Sequence, residues 1–361
     1  MTLTLTLGIT DNNIGRAEAL AGAFGALPLM KGFMQPCRTM PVQSSTSRDL
    51  VLTLMHRGDF NYIAPFVLSL KKSGYRGSTV VFTSEVDELS MAQLRSCGVI
   101  VIPFHFSGQA SRQPLSRPWP LWRWFFSTGA PRPAKLWLAH AVFHLYYRRH
   151  LLYLQFLDQH AADFDRILLA DGKDVFFQAD PFAWNWTSGV HFFLEEAAHR
   201  MGDCPVHREW FRRLFGPSFI ESHAHRIPAC AGTTFGDMAG IRQYLHLMIT
   251  ITMQTLELDK LGGGDQAVHN YILIHKLIDN ITVHENGRGP VLTMKVMKES
   301  DLLTDAQGAA VNGNGVVVPV LHQYDYFPAL KARLMSTLQS PDRIAVFDTV
   351  PLAAGPVRAA A

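Results

Sequence analysis

Two aspartates, Asp171 and Asp174, follow an apolar run in the middle of the chain. The run at 167–170 predicts a buried strand, and a second apolar run at 175–177 follows the acids at once. Carboxylates at the carboxyl end of a buried strand are costly unless they are paired, and ligands bind at that end of open α/β sheets. A hard divalent cation held by both acids and a diphosphate would satisfy them. An ordinary turn between two strands is the alternative interpretation.

The elements that must position these acids begin upstream. Apolar runs at 50–55, 79–83 and 99–104 predict strands, and helical spacing predicts helices over 62–72 and 89–96. This alternation predicts a parallel sheet with right-handed crossovers. No GxGxxG follows the first strand and no GxxxxGK[ST] occurs in the chain, so the dinucleotide fingerprint and the P-loop are both absent.

The later part of the chain predicts further elements around the acids. The stretch 106–133 is rich in Pro, Trp and Arg and predicts an irregular loop. The remaining predictions are a long helix at 134–159, strands at 191–196 and 316–321, and helices at 241–258 and 267–277. Within the polar stretch 199–226, the irregular spacing of His207, His223 and His225 favours a solvated surface over a metal site.

Composition excludes several classes of protein. The 361 residues are 48% hydrophobic, enough for a sizeable core, and the net charge of +3 without a basic stripe makes nucleic-acid binding an unfavourable interpretation. Four isolated cysteines without a CxxC pair argue against a zinc site and fit a reducing compartment, although two disulfides stay open. No apolar run reaches transmembrane length and no secretory signal is recognised, so we expect a cytoplasmic protein.

The segment 164–182 resembles the "DxD" region of GT-A glycosyltransferases, the nucleotide-sugar enzymes that include glycogenin and the bacterial lipopolysaccharide galactosyltransferases. The resemblance rests on Asp171, Asp174-Val175, Gln178 and Asp180-Pro181-Phe182. It implies a GT-A fold, which is an α/β, Rossmann-like and mostly parallel central sheet flanked by helices. Two residues separate the acids here, where the familiar motif has one, so the main metal ligand stays open.

Other segments resemble GT-A elements in the same order along the chain. Arg149 and Tyr153 resemble an Arg-x-x-x-Tyr element and lie one helical turn apart, so they share a face. The resemblance places Arg149 at the donor diphosphate, and a salt bridge to Asp163 or Asp165 is the alternative. By the same resemblance, the nucleotide end of the site is formed by Thr53, Met55, Arg57 and Tyr62. For Tyr62, packing at a helix start is the alternative.

Three later segments complete the resemblance. The small-residue turn 228–236 resembles an Asn-Ser-Gly element, which implies that Gly232, Thr233 and Thr234 lie near the sugar, although Cys-Ala replaces Asn-Ser here. The segment 262–266 resembles Gly-x-Asp-Gln, which implies a site role for Asp265; a helix N-cap is the alternative. His322 follows a predicted strand, as does the histidine that completes the cation site in metal-dependent relatives.

Together these resemblances imply a metal-dependent hexosyltransferase over residues 48–335, with 1–47 as an N-terminal extension and 336–361 as a tail. The expected donor is a nucleoside-diphosphate sugar, UDP-linked by preference, and the expected cation is Mn²⁺ or Mg²⁺, held by Asp171, Asp174 and His322. The acceptor is a hydroxyl of a glycan, lipid or protein. Asp265 is the first candidate to position or deprotonate it, and Glu195 and Glu196 are rival bases.

Three matters stay open from the sequence. The stereochemical course is undecided, with retention weakly favoured. A metal-dependent phosphoester hydrolase using the same acids is one alternative function. A non-catalytic GT-A-like domain that binds a glycan or a partner is the other, because the acids are spaced by two residues and the Asn-Ser pair is missing.

Overall fold

A computed structural model describes residues 47–106, 119–255 and 263–338. Its strands are β1 (Asp49–His56), β2 (Ser78–Ser84), β3 (Ile100–Pro103), β4 (Arg166–Ala170), β5 (Val175–Phe177), β6 (Val190–Phe193), β7 (Thr233–Asp237), β8 (Ile281–His284), β9 (Val291–Thr293) and β10 (Val320–His322). Its helices are α1 (Phe60–Lys72), α2 (Glu88–Ser96), α3 (Trp119–Ser127), α4 (Arg132–Val142), α5 (Leu145–Gln159), α6 (Pro205–Phe215), α7 (Pro217–His223), α8 (Met238–Gln254), α9 (Gly264–Ile274) and α10 (Pro328–Leu338).

The main sheet has seven strands in the order β3-β2-β1-β4-β7-β6-β8. Strands β3, β2, β1 and β4 are parallel, β7 is antiparallel to both β4 and β6, and β8 is parallel to β6. The predicted α/β class with a mostly parallel sheet is therefore confirmed. The central strands are apolar and buried, as expected of strands covered by helices on both faces.

A second, three-stranded sheet has the order β5-β10-β9. Strand β5 runs antiparallel to β10, with His322 opposite Val175, and β10 runs parallel to β9. The segment between β4 and β5, which carries Asp171 and Asp174, therefore joins the two sheets. This topology brings a distant strand of the chain beside the aspartates.

Strand β5 lies between two hydrophobic clusters. Val175 and Phe177 belong to the core under the main sheet, with Phe66 of α1, whereas Phe176 belongs to the core around Leu321. Successive side chains of a strand point to opposite faces, so this three-residue strand is anchored on both sides. The Phe177 amide also donates to Ser69 Oγ of α1 at 3.0 Å.

Aspartate caps fix the starts of several helices. Asp59 accepts from the amide of Asn61 at 3.0 Å before α1, and Asp87 accepts from Ser90 at 2.8 Å before α2. Asp237 accepts from the amide of Gly240 at 2.7 Å before α8. These bonds satisfy amides that have no partner inside the helix, which stabilises each start by about 1 kcal/mol.

Three predictions of secondary structure are wrong in part, and one of them is the strand predicted over 316–321, which is observed only as β10 (Val320–His322). The loop predicted over 106–133 contains helix α3, and the single helix predicted over 134–159 is two helices, α4 and α5. Phe143 between them has extended backbone and a buried ring that packs against Phe126 and Tyr147. Burial of that ring stabilises the break, which helical periodicity alone does not reveal.

The chain ends fall mostly outside the described residues, as do the predicted extension up to residue 46 and the tail from 339. Helix α10 ends at Leu338 and so passes the predicted domain end at residue 335. Among the described residues, no helix combines the length and the apolar character that a membrane crossing needs.

Candidate functional site

The backbone holds Asp171 and Asp174 at the junction of the two sheets. Asp171 follows β4 directly, and its amide donates to the carbonyl of Gly232 at 2.8 Å. Asp174 precedes β5, and its carbonyl accepts from the amide of Gln323 at 2.7 Å. Each aspartate is therefore tied to a different neighbouring segment, one before β7 and one after β10.

His322 meets these two aspartates in one cluster. The ligand atoms of Asp171, Asp174 and His322 lie within 4.8 Å of one another, and Asp174 Oδ1 is 3.6 Å from His322 Nε2. His322 is only 1% exposed, yet among the described residues neither ring nitrogen has a hydrogen-bond partner, and neither has Asp174 Oδ1. A buried polar atom without a partner costs about 1–3 kcal/mol. A bound cation would satisfy these atoms, so the residues fit a metal site.

The electrostatics of Asp174 favour the same conclusion. Burial raises its pKa to about 6, the charge of His322 opposes that rise, and Asp171 adds to it. A divalent cation between the groups would stabilise both carboxylates in their charged form. Two carboxylates and one imidazole suit Mn²⁺ well and also suit Mg²⁺.

Gly232 is required where this cluster meets the turn before β7. A Cβ atom at this position would lie 2.3 Å from both Cε1 and Nε2 of His322 and 3.0 Å from Asp171 Oδ2. Every other residue type would therefore displace His322. The expectation that a small residue allows a close backbone approach here is consistent with this contact, although the neighbour is the ligand cluster itself.

Arg149 connects the cluster to a third acid. Its Nη1 donates to Asp171 Oδ1, and its Nη2 donates to Asp265 Oδ2 at 2.7 Å. Burial works against the charge of this guanidinium, but the two carboxylates raise its pKa well above the ordinary value, so Arg149 stays charged. Its side chain is 14% exposed and is therefore largely buried.

The alternative salt bridge for Arg149 is wrong. Asp163 pairs with His160 Nδ1 at 2.8 Å, and Asp165 pairs with Arg48 Nε at 2.8 Å. The predicted shared face of Arg149 and Tyr153 is confirmed, because both line a small cavity. That cavity is also lined by His150, Leu169, Ala170, Asp171, Ala231, Gly232, Thr234 and Tyr244.

Asp265 lies inside helix α9 and is not its N-cap, so the capping interpretation is wrong. The flanking residue is Gly263, with φ 88° in the left-handed region that glycine adopts freely. Asp265 is 4% exposed, and its carboxylate faces Arg149. The buried Asp265 carboxylate, held by the Arg149 guanidinium, can contribute to the electrostatics of the site as well as to its structure.

The rival acids Glu195 and Glu196 differ in their surroundings. Glu195 is buried and accepts from Gln266 Nε2 at 2.7 Å; burial raises its pKa to about 7, against the effect of that hydrogen bond. Glu196 is half-buried, and its carboxylate accepts from the amide of Ala197 at 2.9 Å. Of the two, Glu195 has the pKa of a general acid or base near neutral pH.

The predicted nucleotide end is brought together only in part. Tyr62 is 42% exposed, and burial and the charges of Asp174 and Asp171 raise its pKa, so it stands near the acids. Arg57 pairs with Glu85 at 2.7 Å. Thr53 and Met55 are fully buried, and Met55 packs in the core under the main sheet, so neither residue is exposed to a ligand. Thr233 and Thr234 are buried in the same way in β7.

Tyr146 is a partly exposed tyrosine on α5 that the sequence interpretation did not single out. It is 46% exposed, and after burial the charges of Asp265 and Asp171 are what raise its pKa most. It precedes Arg149 by three positions on α5, so helical spacing from Arg149 could have found it. Tyr62 and Tyr146 thus present two partly exposed rings near the acids.

Comparison with known proteins adds no family to this picture. No protein-family model matches the chain. No curated protein matches it significantly either.

Proposed function

We propose that the chain is a metal-dependent glycosyltransferase that moves a hexose from a nucleoside-diphosphate sugar, UDP-linked by preference, to a hydroxyl acceptor. The observation that carries the proposal is the cluster of Asp171, Asp174 and His322 beside Arg149, with both His322 ring nitrogens buried and lacking hydrogen-bond partners among the described residues. A cation site beside a guanidinium suits a diphosphate, because both would contact anionic oxygens.

The three ligands would hold Mn²⁺ or Mg²⁺. When bound, the cation supplies charge stabilisation for the departing diphosphate. Arg149 adds a second positive charge on the same side, already fixed in place by Asp171 and Asp265. Since negative charge on the diphosphate grows as the sugar–phosphate bond breaks, such fixed positive charge lowers the energy of the transition state more than that of the ground state.

Asp265 orients Arg149 and is the first candidate for the acceptor side. Its carboxylate is already engaged by Arg149, so we assign it positioning of donor and acceptor, which fits a retaining course. Glu195 accepts a hydrogen bond from Gln266, the residue that follows Asp265, and has a pKa of about 7. If the reaction inverts, Glu195 is the stronger candidate to take the acceptor proton.

The experiment is a thermal-shift titration with UDP, GDP and CMP, each with and without Mn²⁺. We expect stabilisation by UDP that requires Mn²⁺, because a cation held by Asp171, Asp174 and His322 would supply the positive charge that favours a bound diphosphate. Asp174→Asn removes the effect, and Asp163→Asn, which changes a partly exposed acid paired with His160, leaves it intact. Absence of any shift in the wild-type protein contradicts the donor site and favours the non-catalytic binding domain.

A second assay separates transfer from hydrolysis. With UDP-hexose and Mn²⁺, a transferase releases UDP and passes the sugar to an acceptor or slowly to water. A phosphoester hydrolase releases inorganic phosphate from simple phosphate esters and needs no sugar donor. Phosphate release from such esters that depends on Asp174 would replace the transferase proposal with the hydrolase.

A further inference from the structure

A second group of ligand-type side chains lies between β6 and α6. His199 is in the loop, Cys204 is the residue that flanks the start of α6, and His207 is in the first turn of that helix. Their ligand atoms lie within 4.8 Å of one another. None of the three belongs to the proposed donor site.

His207 is buried, His199 is half-buried, and neither imidazole is fully satisfied among the described residues. His207 is 6% exposed, and the two rings are 5.3 Å apart and nearly perpendicular. Among the described residues, His207 Nδ1 and His199 Nε2 have no hydrogen-bond partner. The Cys204 thiol is free, so it is not consumed in a disulfide. Buried nitrogens left unpaired are costly, and a cation would satisfy them together with the thiolate.

Polar groups of Glu195 and Gln266 lie beside the rings of His199 and His207. Glu195 Oε2 is 3.5 Å from His199 Nε2, and Glu195 Oε1 is 3.9 Å from His207 Nε2. Gln266 Nε2 lies 3.0 Å from His207 Nε2. Metal-binding histidines commonly place their second ring nitrogen against a carboxylate, which Glu195 supplies for His207 when Nδ1 is the ligand atom. The positive charge of Lys295 also acts on Glu195. The Cys204 thiolate and the Glu195 carboxylate would together balance the charges of Lys295 and of a bound cation.

The loop that carries His199 is fixed by its backbone. The amides of Glu195, Met201 and Gly202 donate to the carbonyls of Pro228, Arg226 and Ala224 at 2.8, 2.9 and 2.8 Å. A Cβ atom at Gly202 would lie 2.6 Å from the Cβ of Ala224, so the two segments are in direct contact. The fold therefore holds the loop that carries His199 in place.

We propose that His199, Cys204 and His207 bind a borderline cation of the Zn²⁺ class, with Glu195 beside it. One thiolate and two imidazoles select Zn²⁺ over Mn²⁺ or Mg²⁺, which prefer oxygen ligands. The lack of a CxxC pair argues against zinc on spacing alone, and the proposal departs from that expectation. The expectation that His207 lies on a solvated surface is wrong, because this residue is buried. The site ties the loop to α6 and, through Gln266, to the helix that carries Asp265.

The test uses the full-length protein, stripped of metal with a chelator and then titrated with Co²⁺, which takes zinc sites and reports a thiolate ligand by a near-ultraviolet charge-transfer band. We expect the band in the wild-type protein and its displacement by a stoichiometric amount of Zn²⁺. Cys204→Ser abolishes the band, and His207→Ala weakens Zn²⁺ binding by at least about 100-fold. Cys97→Ser, which changes another free cysteine, keeps both, and so does Asp174→Asn.

The possible results separate this site from the donor site. Wild-type protein without the band, or a band that survives Cys204→Ser, overturns the proposal. Circular dichroism of each variant shows that loss of the band is not loss of folding, and serine is well tolerated where a helix begins. The proposal does not rest on glycosyl transfer. A thiolate band without nucleotide binding supports the zinc site and contradicts the proposed function. Nucleotide binding without the band contradicts the zinc site and supports the proposed function.

Discussion

Two histidine-containing clusters in this protein differ in ligand chemistry and in what surrounds them. Asp171, Asp174 and His322 offer two carboxylates and one imidazole beside Arg149. His199, Cys204 and His207 offer one thiol and two imidazoles beside Glu195. The first suits a hard cation that an anionic ligand can reach, and the second suits a borderline cation retained by the protein.

The two clusters are joined by neighbouring residues at the start of α9. Asp265 binds Arg149, which binds Asp171, and Gln266 binds Glu195, which lies against His199 and His207. The charged neighbour of the oxygen-rich cluster is the Arg149 guanidinium, and that of the nitrogen-rich cluster is the Glu195 carboxylate. The charge beside each cluster complements its side chains: the Arg149 guanidinium lies beside carboxylates, whereas the Glu195 carboxylate lies beside imidazoles.

Arg149→Met gives the largest expected effect on stability. It leaves Asp265 buried without its cation, which costs about 3–5 kcal/mol in the free energy of unfolding. Urea denaturation measures the change, and Arg149→Met with Asp265→Asn recovers part of it. Arg242→Met removes a partly exposed pair with Asp158 and should cost at most about 1 kcal/mol. Equal costs for the two single variants would show that Arg149 is not the buried link between the clusters.

Asp174→Asn tests whether the oxygen-rich cluster carries the activity. We expect turnover with UDP-hexose to fall by about 100-fold or more, because charge on the leaving diphosphate loses its cation. The Co²⁺–thiolate band of the other cluster should not change. Steady-state kinetics and the cobalt spectrum check the two halves. Activity equal to that of Asp163→Asn would remove Asp174 from the mechanism.

Glu195→Gln tests the charge beside the nitrogen-rich cluster in chelator-treated protein. Burial raises the pKa of Glu195 from its ordinary 4.5 to about 7, so the folded protein holds this proton more tightly than the unfolded chain. The stability that the fold keeps by holding Glu195 protonated is complete below about pH 4.5 and is lost as the pH rises to about 7.

The variant should therefore gain up to about 3 kcal/mol over the wild type above that range and nothing below it. Denaturation at a series of pH values measures the difference, and Asp174, whose pKa is also raised, is present in both proteins and cancels. Glu196→Gln is the control and should change stability by less than about 0.5 kcal/mol. A pH-independent difference would mean that Glu195 is already charged in the fold.

Gly232→Ala gives a smaller but more local effect. The added methyl group meets His322 at 2.3 Å, so the ring must move, at a cost of about 1–3 kcal/mol. We expect Mn²⁺ binding to weaken by about tenfold while the Zn²⁺ site keeps its affinity; calorimetric titration measures both. Gly129→Ala, where a Cβ meets nothing within 4 Å, is the control. Unchanged Mn²⁺ affinity would separate Gly232 from the cation site.

The sequence predicted local features well where the pattern was strong. The alternation of strands and helices from β1 to β3 is confirmed, as is the strand that ends just before Asp171, because apolar periodicity reports burial directly. Ring burial at Phe143 broke a helix that periodicity continued. The role of Asp265 as an N-cap was wrong, because Gly263 in the left-handed region begins that helix.

The residue types can be recognised without a structure: the paired aspartates, a late histidine, an arginine and tyrosine one turn apart, and a glycine-rich helix start. Only the tertiary structure decided their partners. Pairing of β5 with β10 put His322 opposite Val175, and packing of α5 against α9 placed Arg149 beside Asp265. Spacing along a chain fixes neighbours within a helical turn, whereas contacts between residues more than a hundred positions apart depend on sheet order and burial.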